Sequence, residues 1–492
     1  MAPDEHQLAL DRAQRIVGHH VYGTQVKPRS PRLVVAALCS GGMLASFMQT
    51  LVIPLVPSLP RLLDASPADA SWVVTITLLV AAVMMPVTGR LGDLYGKRRV
   101  ILACFATLIV GSVVVAAGSA LIPAIIGRGL QGAAMGIIPL GISMMRDVLP
   151  AERVGSAIAL MSATLGVGGA IGLPVSAIVA ENATWQALFW LSAALGAVCL
   201  AAVAVIVPES PVRAPGRFDV VGAIGLGIGL VSLLLGVVKG ATWGWGSPLT
   251  VGVFATGVVV LLVWGRVQLR VRDPLVDLRV SGRRPVLLTN LASIVAGFAM
   301  FGTSLVFPQL LQAPAETGYG LGLTMLQAGL VMAPGGLMMM VMSPVSARLT
   351  AVRGPRTTLM TGLAVIAAGY LATTFLTGSV LAILLATVII SSGVGISYAA
   401  MPALIMGAVP VEQSAAGNGL NSLMRSVGTA TSSAVTGVVL AGFTISAAGS
   451  VFPSEAGIMV ALLISAGASL AGLVVTVFIP KPVRAPEPVP VG

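Results

Sequence analysis

Long stretches without charge constrain this chain more than any other feature of its sequence. Runs without Asp, Glu, Lys or Arg include residues 100–127, 154–180, 182–208, 285–315 and 357–411. A bilayer core requires about 20 apolar residues per helix, because lipid offers no partner to backbone N–H and C=O groups. The pattern therefore predicts a membrane protein with many spans.

The overall composition agrees with this prediction. Hydrophobic residues make up 56% of the 492 residues and charged residues 9%, whereas soluble domains carry about 25% charged residues. The net charge of +11 would suggest nucleic acid binding in a soluble protein, but in a membrane protein Lys and Arg mark the cytoplasmic side. We therefore expect a lipid bilayer around the chain and no nucleic acid partner.

Several kinds of chemistry are missing from the sequence. The three cysteines, Cys39, Cys104 and Cys199, lie in apolar stretches without a Cys or His at metal-ligand spacing, which favours buried thiols over a disulfide or metal site. All three histidines lie in the N-terminal tail, and no glycine-rich phosphate-binding loop is present. The sequence predicts no cofactor, no metal and no ATP-driven pumping.

Charges, Pro and Gly breaks and a length of about 20 residues per crossing define fourteen predicted spans. They cover residues 33–57, 70–89, 100–119, 122–145, 155–180, 187–207, 219–238, 249–267, 286–311, 324–345, 358–377, 380–407, 418–441 and 456–479. The longest uncharged run is too long for one crossing, so a turn at 377–379 is predicted to split it. The predicted fold is all-α, a polytopic membrane protein with 14 transmembrane helices.

The distribution of Lys and Arg orients these spans. Of the 28 basic residues, 24 lie in the tails or the even-numbered connections, two (Arg61 and Lys239) lie on the opposite face, and two (Arg128 and Arg425) lie within spans. Positive residues stay on the cytoplasmic side, so we expect both termini in the cytoplasm of a cell, most simply at a bacterial inner membrane. The N-terminal tail lacks the apolar core of a cleavable signal peptide, so the first span is expected to act as the targeting signal.

An internal repeat divides the chain. Five residues recur 258 positions downstream: Pro86, Arg90, Leu91, Gly96 and Arg98 return as Pro344, Arg348, Leu349, Gly354 and Arg356. We predict a tail (1–32), a first six-helix bundle (33–207), an inserted two-helix hairpin with its linkers (208–285), a second six-helix bundle (286–480) and a C-terminal tail (481–492). Two such pseudo-repeats around a midplane cavity form a transporter architecture, since rocking the halves exposes one site to each side in turn.

Three motifs resemble those of a known family. Residues 89–99 (GRLGDLYGKRR) resemble the cytoplasmic signature of the major facilitator superfamily, 128–132 (RGLQG) resemble an element of its span 4, and 168–174 (GGAIGLP) resemble its antiporter motif, with Leu173 inserted before the proline. Stretches at 70–73, 217–219 and 243–248 resemble the fourteen-span drug:proton antiporter branch. The resemblance implies efflux of drugs in exchange for protons.

The signature between spans 2 and 3 predicts a conformational latch. Its members are Gly89, Arg90, Asp93, Gly96, Lys97 and Arg98. Glycine lets helices approach closely, and Asp93 is an acid beside basic residues at a helix end, which suits a contact that forms in only one conformation. The alternative is that the basic residues only fix topology. In the second copy Ala351 replaces the acid, so the latch is predicted to be asymmetric.

Arg128 and Gln131 in span 4 are the predicted residues for proton coupling or substrate contact, because a charge inside a span is costly without a partner. Snorkelling of Arg128 to the surface is the alternative, and for Arg425 the two interpretations weigh equally. No span has Asp or Glu near its midpoint, and Gln49 stands where this branch often has an acid, which disfavours a permanent cation as substrate. Asp69 is the acid best placed to approach Arg128 if spans 2 and 4 pack together.

Spans 5 and 10 carry structural signals. Gly168, Gly172 and Pro174 in span 5 are predicted to permit close packing and a helix bend, and a role in gating follows only from the resemblance. Span 10 holds a methionine cluster, Met332, Met338, Met339, Met340 and Met342. Such a cluster usually fills space, and the alternative is that its flexible thioethers line a cavity.

Together these patterns predict a secondary efflux transporter, and not an enzyme, that exports amphipathic drugs or antibiotics. An importer or uniporter on the same fold is one alternative, and a receptor or lipid-handling scaffold without turnover is another. The predicted partners are the bilayer, protons and a small amphipathic substrate, neutral or zwitterionic, with no obligate protein partner.

Overall fold

The computed structural model describes residues 30–52, 55, 58–447 and 450–480. The predicted tails, apart from residues 30–32, lie outside them. Each predicted span corresponds to one long helix. These helices are α1 Pro31–Thr50, α2 Trp72–Tyr95, α3 Lys97–Ala117, α4 Leu121–Val148, α5 Ala151–Asn182, α6 Gln186–Ile206, α7 Val220–Trp243, α8 Pro248–Gln268, α9 Arg284–Gln312, α10 Met325–Arg353, α11 Pro355–Thr373, α12 Val380–Met406, α13 Ser414–Gly442 and α14 Glu455–Val477.

Among the described residues, twelve of these helices are long and apolar enough to cross a membrane. The other two, α11 and α13, have 19 and 29 residues but are more polar. In α13 the polar side chains are buried, including Asn418, Asn421 and Arg425, because they face neighbouring helices. The all-α membrane fold is confirmed, while the count of fourteen crossings stays a prediction.

Capping side chains set several helix starts. Ser379 accepts a hydrogen bond from the Ala382 N–H at the start of α12, at the predicted turn that splits the longest uncharged run. Thr324 and Gln327 form a reciprocal capping box before α10. Asp219 accepts from the Gly222 N–H at the start of α7.

Three local features differ from the sequence-based expectation. Helix α1 ends at Thr50 and not at residue 57, and the one-turn helix Leu59–Leu62 follows it. The signature after span 2 is helical up to Tyr95, and α2 ends only at Gly96, whose φ of 107° other residues rarely adopt. An antiparallel hairpin, β1 (Thr444–Ala447) and β2 (Ser450–Pro453), joins α13 to α14, and no alternation in the sequence indicated it.

Two of the long helices are interrupted. Helix α4 contains the 3₁₀ turn Ala134–Gly136, and α10 breaks at Met342, between the segments Met325–Val341 and Ser343–Arg353. Pro344 lies directly after that break and cannot donate a backbone hydrogen bond to the preceding turn. Pro86, its counterpart in the repeat, lies inside the continuous helix α2.

Helix packing repeats with an offset of eight helices. In the first half α1 packs against α5 and α6, and α3 against α4 and α6; in the second half α9 packs against α13 and α14, and α11 against α12 and α14. The contacts between the halves follow the same offset. Helix α2 packs against α13, and the helices equivalent to these two, α10 and α5, also pack against each other. Gly96 and Gly354 occupy equivalent joints with φ values of 107° and 82°. The two six-helix pseudo-repeats are therefore present in the fold.

The inserted hairpin packs on one side of the halves. Helices α7 and α8 contact each other, and α7 also contacts α2 and α13. Each half has its own buried hydrophobic cluster, and a third cluster joins α7 to α2 and α13. The predicted domain boundary at 207/208 falls between α6 and α7, and the one at 285/286 falls two residues inside α9. These boundaries stay predictions.

Candidate functional site

A cavity of about 360 Å³ lies between the two halves. Residues of α1 and α5 line one side, and residues of α9, α10 and α12 line the other. Among the described residues, the lining is mostly apolar and includes Met300, Met332 and Met339, but no Asp, Glu, Lys, Arg or His. It reaches Thr50 and Gln312, the last residues of α1 and α9. We call the other end of the bundle, where α2, α4 and α12 terminate, the basic end.

Glycines let α5 approach α1 closely beside this cavity. A Cβ atom added at Gly168 would lie 2.8 Å from the Cβ of Ser46. One added at Gly172 would lie 3.2 Å from the Cβ of Thr50. Pro174, two residues after Gly172, also lines the cavity. The close packing predicted for these glycines is present, and their role in gating stays a prediction.

Arg128 is buried inside the first half, with 1% of its surface exposed. Its Nε donates to the Val73 carbonyl at 3.2 Å, and one terminal nitrogen donates to the Met48 carbonyl at 3.0 Å and to the Gln131 side chain at 2.8 Å. Gln131 in turn donates to the Ser112 hydroxyl at 2.8 Å. Arg128 therefore faces α1 and α2 and does not snorkel. Among the described residues it forms no salt bridge.

Asp69 does not join this group. Helices α2 and α4 do pack together, but Asp69 is exposed on the one-turn helix Pro67–Ala70. Its carboxylate accepts a hydrogen bond from the Ser66 hydroxyl at 2.7 Å, and its own N–H donates back to that hydroxyl at 3.1 Å. This reciprocal local bond, together with water, satisfies the carboxylate. The expected contact of Asp69 with Arg128 is wrong, and the role of Asp69 in coupling stays a prediction.

Asp93, in the last turn of α2, joins the two halves at the basic end. It is 1% exposed. Its two carboxylate oxygens accept from the backbone N–H groups of Ala415 at 3.1 Å and Ala416 at 2.8 Å. These residues begin α13, and the N-terminus of a helix stabilises a negative charge by about 0.3–1 kcal/mol. The acid therefore holds the second half through the start of one helix.

Lys97 lies at the centre of this contact and is fully buried. Its Nζ pairs with Asp147, donates to the Ser414 hydroxyl at 3.1 Å and lies 3.7 Å from Asp93. The Ser210 hydroxyl donates to the same Asp147 oxygen at 2.5 Å. We call Asp93, Lys97, Asp147 and Ser414 the latch cluster.

Glycine permits the approach of α2 and α13 that the latch cluster requires. A Cβ atom added at Gly89 would lie 2.5 Å from the carbonyl oxygen of Ala415. On the facing helix, a Cβ atom added at Gly419 would lie 2.5 Å from the carbonyl oxygen of Met85. Any larger residue at either position would separate the two halves at the basic end.

The remaining basic residues of the signature have other contacts. Arg98 donates to the Ala204 carbonyl in α6, and its repeat counterpart Arg356 donates to the Val477 carbonyl in α14 at 2.5 Å. These equivalent bonds act within each half and place a cation near a helix C-terminus, where it is favoured. Arg90 is 7% exposed, and its Nε has no hydrogen-bond partner among the described residues.

Sequence reasoning missed Asp147 and Ser414. Asp147 follows Arg146 at the end of α4 and resembles an ordinary charged connection. Ser414 is separated from Lys97 by 317 positions, so no local pattern could pair them. The only signal was that Asp147 is an acid at an end of the bundle where basic residues dominate.

Arg425 in α13 is also buried, with 5% of its surface exposed. Its two terminal nitrogens donate to the Asn421 side chain at 2.7 Å and to the Ser422 hydroxyl at 2.9 Å. Its guanidinium carbon lies 4.6 Å from the centre of the Tyr398 ring, which is a favourable cation–π distance. Of the two interpretations of this residue, the structure excludes snorkelling.

Comparisons with known proteins agree with this architecture. The chain is 27% identical to the tetracenomycin C resistance and export protein of Streptomyces glaucescens, over 86% of this chain and 78% of that protein. It is 27% identical to the lincomycin resistance protein LmrB of Listeria monocytogenes, over 77% of this chain and 79% of that protein. It is also 27% identical to YhcA of Bacillus subtilis, an uncharacterized transporter, over 70% of this chain but only 64% of that protein.

The same relationship is visible in three dimensions. The human organic anion transporter MFSD10 matches 91% of this chain, and 99% of its own, with a TM-score of 0.66 at 17% identity, which shows a shared fold. The family model described as Major Facilitator Superfamily matches residues 38–433. This multi-pass membrane protein belongs to the major facilitator superfamily.

Proposed function

We propose that this protein exports amphipathic organic compounds such as antibiotics or other toxic drugs. The observation that carries the proposal is the cavity of about 360 Å³ between two pseudo-repeated halves. Rocking the halves would expose such a cavity to each side of the membrane in turn. The direction of transport is inferred from the two relatives whose names state antibiotic resistance.

The substrate is proposed to be neutral or zwitterionic. A permanent cation would enter the cavity without a carboxylate to pair with, because no acid is part of its lining. Burying an unpaired charge is costly. Methionine thioethers such as those of Met332 and Met339 adapt to apolar bodies of different shape, which suits a transporter of varied drugs.

We further propose that proton entry drives export, as the resemblance to the drug:proton antiporter branch implies. Arg128 and Gln131 lie directly behind the cavity wall. The carbonyl of Met48 accepts from Arg128, and Ser46 and Thr50, two residues away on either side, line the cavity. A change at Arg128 would therefore reach the cavity through α1.

The orientation follows from the positive residues. We propose that the basic end and both termini lie in the cytoplasm. The structure then has its cytoplasmic side closed by the latch cluster and its cavity extended towards the outside. Asp69, exposed near that outer side, remains the proposed acid for proton entry.

Drug accumulation in bacterial cells tests this proposal. Cells that express the chain and matched cells without it are loaded with an amphipathic antibiotic, with and without a proton uncoupler. We expect lower accumulation in the expressing cells, and the uncoupler should remove the difference. Cells with an equal membrane abundance of Arg128→Ala, a variant that is expected not to export, are measured beside them.

The other possible results of the accumulation assay contradict different parts of the proposal. Higher accumulation in expressing cells would show an importer. An unchanged accumulation across a panel of neutral and zwitterionic compounds would contradict transport of this class. Export that persists with the uncoupler would contradict proton exchange but leave export in place.

A further inference from the structure

The polar side chains of α13 form a buried stripe that the proposed export cycle does not yet use. Asn421 and Ser422 are neighbours, and each lies three or four residues from both Asn418 and Arg425, which places all four on one face of the helix. All four are buried. A polar face of this kind inside a membrane bundle is costly unless it serves a function.

Two members of this stripe have unused hydrogen-bonding groups. Both side-chain amide atoms of Asn418 lack a partner among the described residues, and so does the Nε of Arg425. Asn418 is 2% exposed and Arg425 is 5% exposed. A buried donor without a partner destabilises the fold, so these groups are expected to meet a ligand in some step of the cycle.

Arg425 also has no counter-ion. Within the part of the chain that the structure describes, none of the three salt bridges includes it. Its partners are the neutral Asn421, Ser422 and the Tyr398 ring. These groups orient the guanidinium but leave its charge uncompensated, and the planar guanidinium group binds carboxylates with two parallel hydrogen bonds.

The stripe lies directly beyond the cavity, towards the basic end. Tyr398 is one turn after Val394, which lines the cavity in α12. Gly297 is one turn before Met300, which lines it in α9, and a Cβ atom added at Gly297 would lie 3.0 Å from the Cα of Arg425. A ligand that moves from the cavity towards the basic end would therefore pass Arg425.

Access to this stripe depends on the latch cluster. Asn418 and Arg425 lie on the same helix that Asp93 holds at its start. The neighbouring Ser426 hydroxyl lies 3.7 Å from the Met85 sulfur of α2, so α2 covers the flank of the stripe. When the halves separate at the basic end, this flank opens to the cytoplasmic side.

We propose that Arg425, assisted by Asn418, binds the carboxylate group of an amphipathic substrate as that substrate enters from the basic end. This proposal rests on the proposed function and specifies its substrate class, namely zwitterions with an apolar body and one carboxylate. The carboxylate is the group that Arg425 holds.

Binding of two fluorescent probes to the purified full-length protein in detergent tests the proposal. N-dansylglycine carries a carboxylate, and its methyl ester has the same apolar body without the charge. Because a hydrogen bond to a charged group is stronger than one between neutral groups, Arg425→Gln should raise the Kd of N-dansylglycine by about tenfold or more. The Kd of the ester should stay within about twofold, which also shows that the variant is folded.

A second variant avoids the packing cost of replacing an arginine. Asn418→Ala breaks no hydrogen bond that the structure describes, so it should weaken only the binding of the acid. Ser432→Ala is the matched control, because Ser432 is buried in the same helix and its hydroxyl also lacks a partner among the described residues. This control should leave both probes unchanged.

Several outcomes would overturn the proposal. If Arg425→Gln weakens the binding of both probes equally, Arg425 has a purely structural role. If neither variant weakens the binding of N-dansylglycine, the stripe binds no carboxylate. Failure of wild-type protein to bind N-dansylglycine would have the same meaning. The drug accumulation assay, performed with neutral compounds, reports on export independently of these results.

Discussion

Buried cations in this protein are held in two different ways. Lys97 lies between two carboxylates, those of Asp93 and Asp147. Arg128 instead donates to backbone carbonyls and to the neutral Gln131. Removing one partner of a buried ion pair costs about 3–5 kcal/mol of stability. A buried cation whose hydrogen bonds go only to neutral groups has no counter-charge, so its charge can still pair with a ligand or respond to a proton-linked change.

Arg128→Ala is expected to abolish drug efflux, and Arg128→Lys to retain part of it. Lysine keeps the positive charge but loses the planar group with five donors that reaches Val73, Met48 and Gln131 together. Efflux is measured at matched amounts of protein in the membrane. Normal efflux by the alanine variant would show that Arg128 has no part in coupling.

Asp93→Asn is expected to leave the protein in the membrane and remove most of its transport. The amide keeps the volume, but it offers one acceptor oxygen where the carboxylate offers two, and Lys97 loses one of its two counter-charges. Ala351→Asp should have little effect, because residue 351 is exposed and the new acid would contact solvent. Full activity of Asp93→Asn would refute the latch.

The chemistry of these residues was predictable, and their partners were not. An acid among basic residues at a helix end predicted that Asp93 makes a contact there, and the opening and closing of that contact stays a prediction. The identity of the contact depended on a position more than 300 residues away, and only the folded chain brings α13 to α2. The same limit made the pairing of Asp69 with Arg128 wrong, because a local bond to Ser66 satisfies the acid.

At the scale of helices, close contacts are made where glycine removes the side chain. Helix α5 touches α1 at Gly168 and Gly172 and packs against α10 on another side. Because α1 belongs to the first half and α10 to the second, α5 connects movement between the halves to the cavity wall. Small residues are the usual means by which helices approach each other in a membrane.

Gly168→Ala is expected to reduce efflux severalfold and to lower the melting temperature of the purified protein. The added methyl group would lie 2.8 Å from the Cβ of Ser46, so α1 must move away. Gly155→Ala, in the same helix, is the control, since nothing lies within 4 Å of a Cβ atom at that position. If both variants behave like the wild type, the close contact of α1 with α5 is unimportant for transport.

Helix positions followed from the charge gaps, while interruptions within helices did not. Charges, Pro and Gly breaks and span length together located the fourteen long helices of the described residues, because lipid excludes charge and permits a single kind of backbone pairing. Proline alone did not predict the break at Met342, because Pro344 follows that break whereas Pro86, its counterpart in the repeat, lies inside a continuous helix. The hairpin of β1 and β2 depends on contacts between distant segments. For example, the Tyr319 hydroxyl donates to the Pro453 carbonyl at 2.6 Å, a bond that no local pattern indicates.

At the scale of the whole molecule, the prediction to test is the membrane topology, that is, which loops lie outside the cell and which lie inside. In a variant without the three native cysteines, Gly246→Cys should react with a membrane-impermeant thiol reagent added to intact cells, and Ser281→Cys should react only after the cells are opened. Both positions lie outside the long helices, between α7 and α8 and between α8 and α9. Equal labelling of the two cysteines in intact cells would contradict the proposed orientation.

The contacts between the halves are duplicated in position but not in chemistry. The contact of α2 with α13 contains an acid, whereas the equivalent position of the second repeat is Ala351. If the two halves alternate as proposed, the two states of the empty protein have different free energies, and a difference of about 1.4 kcal/mol already populates one of them tenfold over the other. A carboxylate at only one of the two contacts would then give the unloaded transporter a preferred resting side.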